Sequence, residues 1–306
     1  MNIQWYPGHM TKAKRAMKED IKLIDLVIEL VDARMPLGSR NPDIDVLAMG
    51  KGPHDSLKQG RSGRRAEERA VDVLGFKAQG FHVVKINART GMGLKQITPL
   101  VQEACREKIE RDRRRGIKNR PVRAMVVGIP NVGKMPPLLI PCRQKPAPRP
   151  ATSLALPMGN QWIRLNKTLE LLDTPGILWP KFEDQAIGMN LAFIGSINDE
   201  ILDKTELAAE LARFLIIHYR GMMEERYQLE EGTDYEPYQV LEQIARIRAC
   251  LLKGNELDIK KAANLFLDDF RSGKLGRISL EFPPSVPSED RGRTAEADEE
   301  AQHENA

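Results

Sequence analysis

Along the first 184 positions, apolar residues fall into short runs that each close on a polar turn. "LIDLVIELVDARMP" (23–36) has a β-branched apolar centre and ends in a polar loop, as a buried strand does. "GFHVVKINARTG" (80–91) repeats the plan, with its polar loop at Asn87. Next, "GLKQITPLVQEACREKIERDRRR" (93–115) carries the spacing of an amphipathic helix. "VRAMVVGIPNVGK" (122–134) predicts a third strand running into a Gly-rich loop, and "TLELLDTPGI" (168–177) a fourth. Strands that alternate with helical stretches make βαβ units and a mostly parallel sheet, an α/β fold. Ligands bind such sheets at the carboxyl ends of the strands.

The texture changes near residue 185. "ELAAELARFLIIHYRGMMEERY" (206–227), "YEPYQVLEQIARIRACLL" (235–252) and "DIKKAANLFLDDFRSGKLG" (258–276) all carry helical periodicity. The chain therefore divides into a basic N-terminal segment (1–22), an α/β domain (23–184), an all-helical domain (185–282) and a tail (283–306). The tail is polar, acidic and Pro-bearing, the composition of disorder. Two stretches inside the α/β domain fit neither texture. One is "VLAMGKGPHDSLKQGRSGRR" (46–65); the other is 135–158, with seven prolines and no acid. A Pro-rich linker is the ordinary reading, yet long structureless loops are out of place inside such a domain.

Composition adds three points. The longest apolar runs are too short to span a bilayer, and the N-terminus lacks the apolar core of a signal segment. The expectation is a cytoplasmic protein with no membrane span. Three dispersed cysteines suit free thiols rather than a disulfide framework. The net charge of +4 is uneven: the tail carries −5 (seven acids against Arg291 and Arg293), which leaves +9 on the first 282 residues. Segment 105–123 alone has nine Lys/Arg against three acids. That imbalance suits a polyanion such as RNA, with no DNA expected; a solvated helix face explains a basic run as simply.

"GIPNVGK" (128–134) fits the phosphate-binding pattern GxxxxGK, and "AMVV" is the strand that delivers it. Backbone N–H groups of such a loop converge on phosphate oxygens, and Lys134 reaches the β/γ oxygens. An ordinary Gly-Pro turn is the plainer reading. About 40 residues later "DTPG" (173–176) closes another strand. Asp173 there can hold Mg²⁺ through water, and the Gly176 N–H can approach a γ-phosphate. Together the two motifs point to GTP.

With these motifs in place, the chain resembles the ribosome biogenesis GTPase A (YlqF) family of circularly permuted GTPases. The likeness runs through "WYPGHMTKAKR" (5–15), "VDARMPLGSRNP" (31–42), "KINARTGMGL" (85–94), "GIPNVGK", "GNQWIRLNKTLELLDTPGILWPKFED" (159–184) and "DFRSGKLGRISLE" (269–281). The G5-like "NAR" (87–89) precedes G1, which precedes G3, as permutation requires. The resemblance implies a circularly permuted P-loop GTPase domain with a C-terminal RNA-binding helical domain, and GTP with Mg²⁺ as cofactors. Its partners would be the large (50S) ribosomal subunit precursor and 23S rRNA, late in assembly. It places Asn87 and Ala88 behind the guanine, and Asn131, Val132, Gly133 and Lys134 around the phosphates. Asp173 and Gly176 sense metal and γ-phosphate. Ras-type enzymes have a Gln just after this motif to orient water; here Ile177 stands there. The resemblance moves the catalytic role to His9, although a structural or RNA-facing histidine fits the sequence alone equally well.

The chain departs from the family at three motifs. The guanine-reading NKxD is replaced by "DSLKQGRSGRR" (55–65), the metal-ligating Ser/Thr after Lys134 by Met135, and the switch-I threonine motif by "SLALPM" (153–158). Codon arithmetic suggests why. Read from the second base of each codon, 55–64 permits Ile-Leu-Leu-Asn-Lys-Ala-Asp-Leu-Ala-Asp. Read from the third base of the preceding codon, 136–142 permits Thr-Leu-Ile-Asn-Ser-Leu, and 153–157 permits Pro-Gly-Ile-Thr. Three family motifs at their proper places imply two local frameshifts, each later restored, in the gene or its reported sequence. The alternative is that the breaks are genuine and the chain is a catalytically impaired rRNA-binding module. Separately, "DFRSGKLGR" (269–277) reads either as a phosphate-contacting loop or as a helix C-cap.

Overall fold

The computed structural model describes residues 15–47, 56–61, 76–87, 91–131, 161–174, 178, 185–230 and 235–282. They fall into two compact units, 1–188 and 189–306.

The first unit is built on a six-stranded sheet. Its strands are β1 (Leu26–Asp32), β2 (Ser56–Arg61), β3 (His82–Ile86), β4 (Val122–Gly128), β5 (Gln161–Arg164) and β6 (Leu169–Asp173), in the order β3-β2-β1-β4-β6-β5. All run parallel except β5, which pairs antiparallel to β6 at one edge. The register sets Val27, Met125 and Leu172 side by side on one face. With Val127 they form a core covered by Met17, Ile24 and Ile44. Ile44 comes from a short helix, α1 (Pro42–Leu47).

The amphipathic stretch 93–115 is not one helix. After a 3₁₀ turn it forms α2 (Ile97–Ala104) and α3 (Arg106–Arg114), which meet at Cys105. Ile97, Val101 and Cys105 make a buried stripe at helical spacing. Beyond Cys105 only Ile109 is apolar in α3, so nothing draws the helix along the same line. Strands β2 and β5 have no counterpart in the apolar pattern.

The second unit is helical. Helix α4 (Gln185–Phe193) leads into it, followed by α5 (Lys204–His218), α6 (Met222–Tyr227), α7 (Pro237–Ile247) and α8 (Ile259–Ser272). Leu207, Leu211 and Leu215 of α5, Val240, Leu241 and Ile244 of α7, and Phe266, Leu267 and Phe270 of α8 are buried, and the three helices pack together. Asp203 caps α5 by accepting from the Thr205 and Glu206 N–H groups, and Asp258 caps α8 through Lys261 N–H. The helical stretch 206–227 breaks at Gly221, whose φ of 95° suits glycine. No described helix is long and apolar enough to cross a membrane.

Candidate nucleotide site at the carboxyl edge of the sheet

Because β1, β2, β3, β4 and β6 are parallel, their last residues share one edge. The register aligns Asp32 with Arg61 and Arg61 with Ile86, while Gly128 pairs with Leu30 and Asp173 with Val126. Asn87, Asn131 and Asp173, three residues singled out by sequence, are therefore brought to one edge. His9, Ala88, Val132, Gly133, Lys134, Met135 and Gly176 lie outside the described residues. Of Asp173 only the backbone is described.

The β4 exit is a tight fit. Gly128 has φ 152°, and a Cβ there would lie 2.6 Å from the Leu30 carbonyl oxygen. Glycine is what lets the chain leave β4 while pressed against β1. Three residues on, Asn131 is left-handed (φ 57°) and exposed, in the turn that opens the loop. At the end of β6, Thr174 is buried and its hydroxyl donates to the Val126 carbonyl at 2.6 Å. This bond ties the end of β6 to β4 and so fixes Asp173 against the loop exit. Sequence reasoning missed Thr174; the signal was a hydroxyl directly after a strand-terminal Asp.

The loop after β3 closes on itself. Asn87 N–H donates to Met92 O (3.0 Å) and Gly91 N–H to Asn87 O (2.8 Å). A Cβ on Gly93 would overlap the Lys85 carbonyl, so this return also depends on glycine.

The "VDARMPLGSRNP" stretch is a self-bonded collar over β1. Asp32 accepts from Arg34 Nε (3.0 Å), Nη2 (2.8 Å) and N (2.9 Å), and its own N–H donates to the buried Ser39 hydroxyl (2.9 Å). Glu29, buried inside β1, accepts from Asn41 N–H (3.2 Å) and pairs with Arg40 (3.7 Å), whose guanidinium also lies over the Phe76 and Phe81 rings. A buried carboxylate needs such partners. Among the described residues no group of three or more His, Cys, Asp or Glu could hold a metal ion.

The other motif resolves as structure. In "DFRSGKLGR", Gly273 is the left-handed C-cap of α8 (φ 79°), with Lys274 N–H donating to Asp269 O (2.9 Å). Arg271 forks onto Asp199 (2.8 Å twice) and donates to the Ala192 and Phe193 carbonyls (2.9 and 3.0 Å). Bonds from Arg271 hold the Asp199 carboxyl below its ordinary range against the opposing effect of burial. Asp269, Arg271 and Lys274 are thus engaged within the fold, while Arg277 stands exposed at the end of the motif.

The fold and its edge define a circularly permuted GTPase: the Asn87 strand comes before the Gly128 strand, which comes before the Asp173 strand. The solved structures agree. The chain is similar to GNP-bound YlqF from T. maritima (TM-score 0.63, 25% identity, 90% of this chain and 100% of that one). GDP-bound YlqF has the same fold (TM-score 0.61, 23% identity, 87% and 98% covered). Among curated proteins it is 41% identical over 285 residues to Ribosome biogenesis GTPase A of Bacillus cereus, covering 92% of this chain and 95% of that one. To the Priestia megaterium protein of that name it is 41% identical over 286 residues, with 92% and 98% covered. No protein-family model matches. The chain belongs to the ribosome biogenesis GTPase A family, and its class is GTP hydrolase by family resemblance.

Proposed function

We propose that this chain binds GTP with Mg²⁺ at the carboxyl edge of its sheet and hydrolyses it as a switch in late assembly of the large ribosomal subunit, while gripping 23S rRNA in the cytoplasm. The supporting observation is the convergence of Asn87, the Asn131 turn and Asp173–Thr174 on one edge, in permuted chain order. Asn131, Val132, Gly133 and Lys134 cradle the phosphates. Asn87 and Ala88 back the guanine. The Gly176 N–H meets the γ-phosphate, and His9 orients the attacking water. Asp173 holds the metal through water; when bound, Mg²⁺ neutralises charge on the β and γ oxygens. Met135 adds nothing to that, because a thioether is a soft donor and Mg²⁺ takes oxygen.

A second reading is favoured by one feature. Strand β2 ends at Arg61 and continues Ser-Gly-Arg-Arg, so the guanine-reading carboxylate is missing as written. Losing that contact and the metal-ligating hydroxyl each costs at least about 1–3 kcal/mol, roughly 5- to 150-fold in Kd apiece. The test is GTP turnover by the full chain with and without large-subunit precursor particles, alongside His9→Ala. Particle-stimulated turnover that His9→Ala abolishes supports the switch. A chain that binds rRNA fragments yet neither binds nor hydrolyses GTP is the impaired RNA-binding module instead.

A further inference from the structure

The opposite edge of the same sheet holds an open groove of about 780 Å³. Its walls are α3, the loop that follows, Val122 at the start of β4 and Thr168 just before β6. Five cations line it, and they divide into two sets. Lys108 bridges Asp112 (2.8 Å) and Asp25 (3.3 Å), and Arg120 faces Asp25 (3.7 Å), so these two lock α3 and its loop to the sheet. Arg106, Arg113 and Lys118 are exposed and form no salt bridge among the described residues. Glu110 is the remaining carboxylate of the lining.

The loop is built rather than slack. Gly116 (φ 79°) and Asn119 (φ 68°) turn it twice, and Ile117 N–H donates back to Asp112 O at 3.0 Å, which sets where Lys118 stands. The lining contains no aromatic ring. Single-stranded RNA is held chiefly by stacking its bases on aromatic side chains, whereas double-helical RNA is read through phosphates and 2′-hydroxyls. Arginine and lysine beside the amide of Asn119 supply the second kind of contact alone, and the Thr168 hydroxyl, which donates to Asn166 Oδ1 (2.8 Å), keeps its oxygen as an acceptor for a 2′-hydroxyl.

We propose that this groove docks the phosphate backbone of double-helical RNA, at the edge of the GTPase unit remote from the nucleotide. The inference rests on the reading of the chain as a factor that works on rRNA. It is tested with the full chain and no nucleotide, by anisotropy across a salt series. The probes are an RNA duplex of about 16 base pairs, the span of a common duplex-binding module, and a uridine single strand of equal length. Arg106→Gln/Arg113→Gln/Lys118→Gln should weaken duplex binding roughly 10- to 100-fold, since exposed ion pairs contribute up to about 1 kcal/mol each. It should also lower the log–log salt slope by about 3. Lys77→Gln/Lys95→Gln, exposed lysines of the same unit, should leave both unchanged. An unmoved slope in the triple variant overturns the proposal, as does an equal drop in the lysine pair, or single-strand binding that is as tight and as sensitive. Intact duplex binding with lost binding to ribosomal particles overturns it too, assigning the groove to a protein face. A chain that turns over GTP on particles yet binds no duplex sinks the groove and leaves the switch standing.

Discussion

Removing the Asp269 carboxylate should unseat the helical unit. That carboxylate is buried and accepts from Arg226 Nε (3.1 Å) and Nη2 (2.8 Å), the Tyr227 hydroxyl (3.2 Å) and Lys274 Nζ (3.0 Å). Burial, then the nearby carboxylate, push the Tyr227 phenol up, so it stays a donor. Asp269→Ala leaves this fully buried hydroxyl without its acceptor and Arg226 without its counter-charge. Breaking a buried pair costs about 3–5 kcal/mol. Arg226 and Lys274 are 31% and 59% exposed, so water screens part of the loss and the lower end, about 3 kcal/mol, is expected. For a unit of roughly 100 residues each kcal/mol moves the midpoint about 4–8 °C, which gives a fall of roughly 12–24 °C. Asp269→Asn keeps an acceptor and should lose about half as much. The pH dependence follows from the same contacts. Burial alone would raise the Asp269 pKa, but bonds from Lys274 and Arg226 outweigh it and hold the group below its ordinary value. A lowered folded pKa gives stability that is complete above the unfolded value, about 3.9, and lost as pH falls through the folded one. The wild type should therefore lose stability through that acid window, and Asp269→Ala should lack this component. Calorimetric scans at neutral and acid pH make the measurement. A variant melting within about 3 °C of wild type at neutral pH would refute the network's role.

Three further outcomes are expected. Thr174→Val keeps shape but loses the 2.6 Å bond to Val126 O; it should cost about 1 kcal/mol and weaken nucleotide binding through the neighbouring Asp173, while Thr174→Ser recovers both. Equal titration curves for Thr174→Val and wild type would show the tie to be idle. Gly128→Ala drives a Cβ to 2.6 Å from the Leu30 carbonyl, where two backbones must part; denaturant unfolding should register a loss of about 1–3 kcal/mol, and an unchanged midpoint would reject the tight exit. Finally, the coding DNA for 44–66 and 134–159 should carry codons that yield NKxD, the G1 continuation and the switch-I motif in shifted frames; codons incompatible with them end that reading.

Much of the architecture was legible because parallel strands are apolar over nearly their whole length. "LVIELVD", "HVVKI", "VRAMVVG" and "LELLD" announce β1, β3, β4 and β6. Strand β5, "QWIR", is a short edge strand whose pairing with β6, not its composition, makes it a strand. Helix breaks at Cys105 and Gly221 were hidden because strong helix formers follow each, while the backbone turns. At the carboxyl edge, the positions of Asn131 and Asp173 follow from the two motifs and that of Asn87 from the polar end of an apolar run, with its guanine role implied by the family resemblance alone. Thr174 and Glu29 do not, since each matters through a partner elsewhere: Val126 in the neighbouring strand, and Arg40 and Asn41 in the returning collar. In "DFRSGKLGR" the C-cap at Gly273 was legible, but the engagement of Arg271 was not, because its partner Asp199 lies 72 residues away.

Strand β2 is where local preference and global fold disagree. It is an interior strand, paired on both sides, yet it reads Ser-Leu-Lys-Gln-Gly-Arg, with one apolar residue and a glycine. Lys58 holds the register position beside Glu29, in the row that β1 and β4 fill for the covered core. Foldable sequences agree with their fold at each level, so such a conflict in mid-sheet needs a cause. The shifted frame supplies one. It puts apolar residues over 55–57 and Asn-Lys-Ala-Asp over 58–61, converting the strand to a buried one that ends in the guanine-reading motif. The register then places that final Asp at the position of Arg61, level with Ile86 and next to the Asn87 loop. Backbone pairing knows nothing of codons, yet it brings the missing carboxylate to the loop assigned to the guanine. The shifted frame and the register thus put the family's guanine-reading Asp at position 61, and among the described strands the polar text of β2 is the one that fits an interior position least.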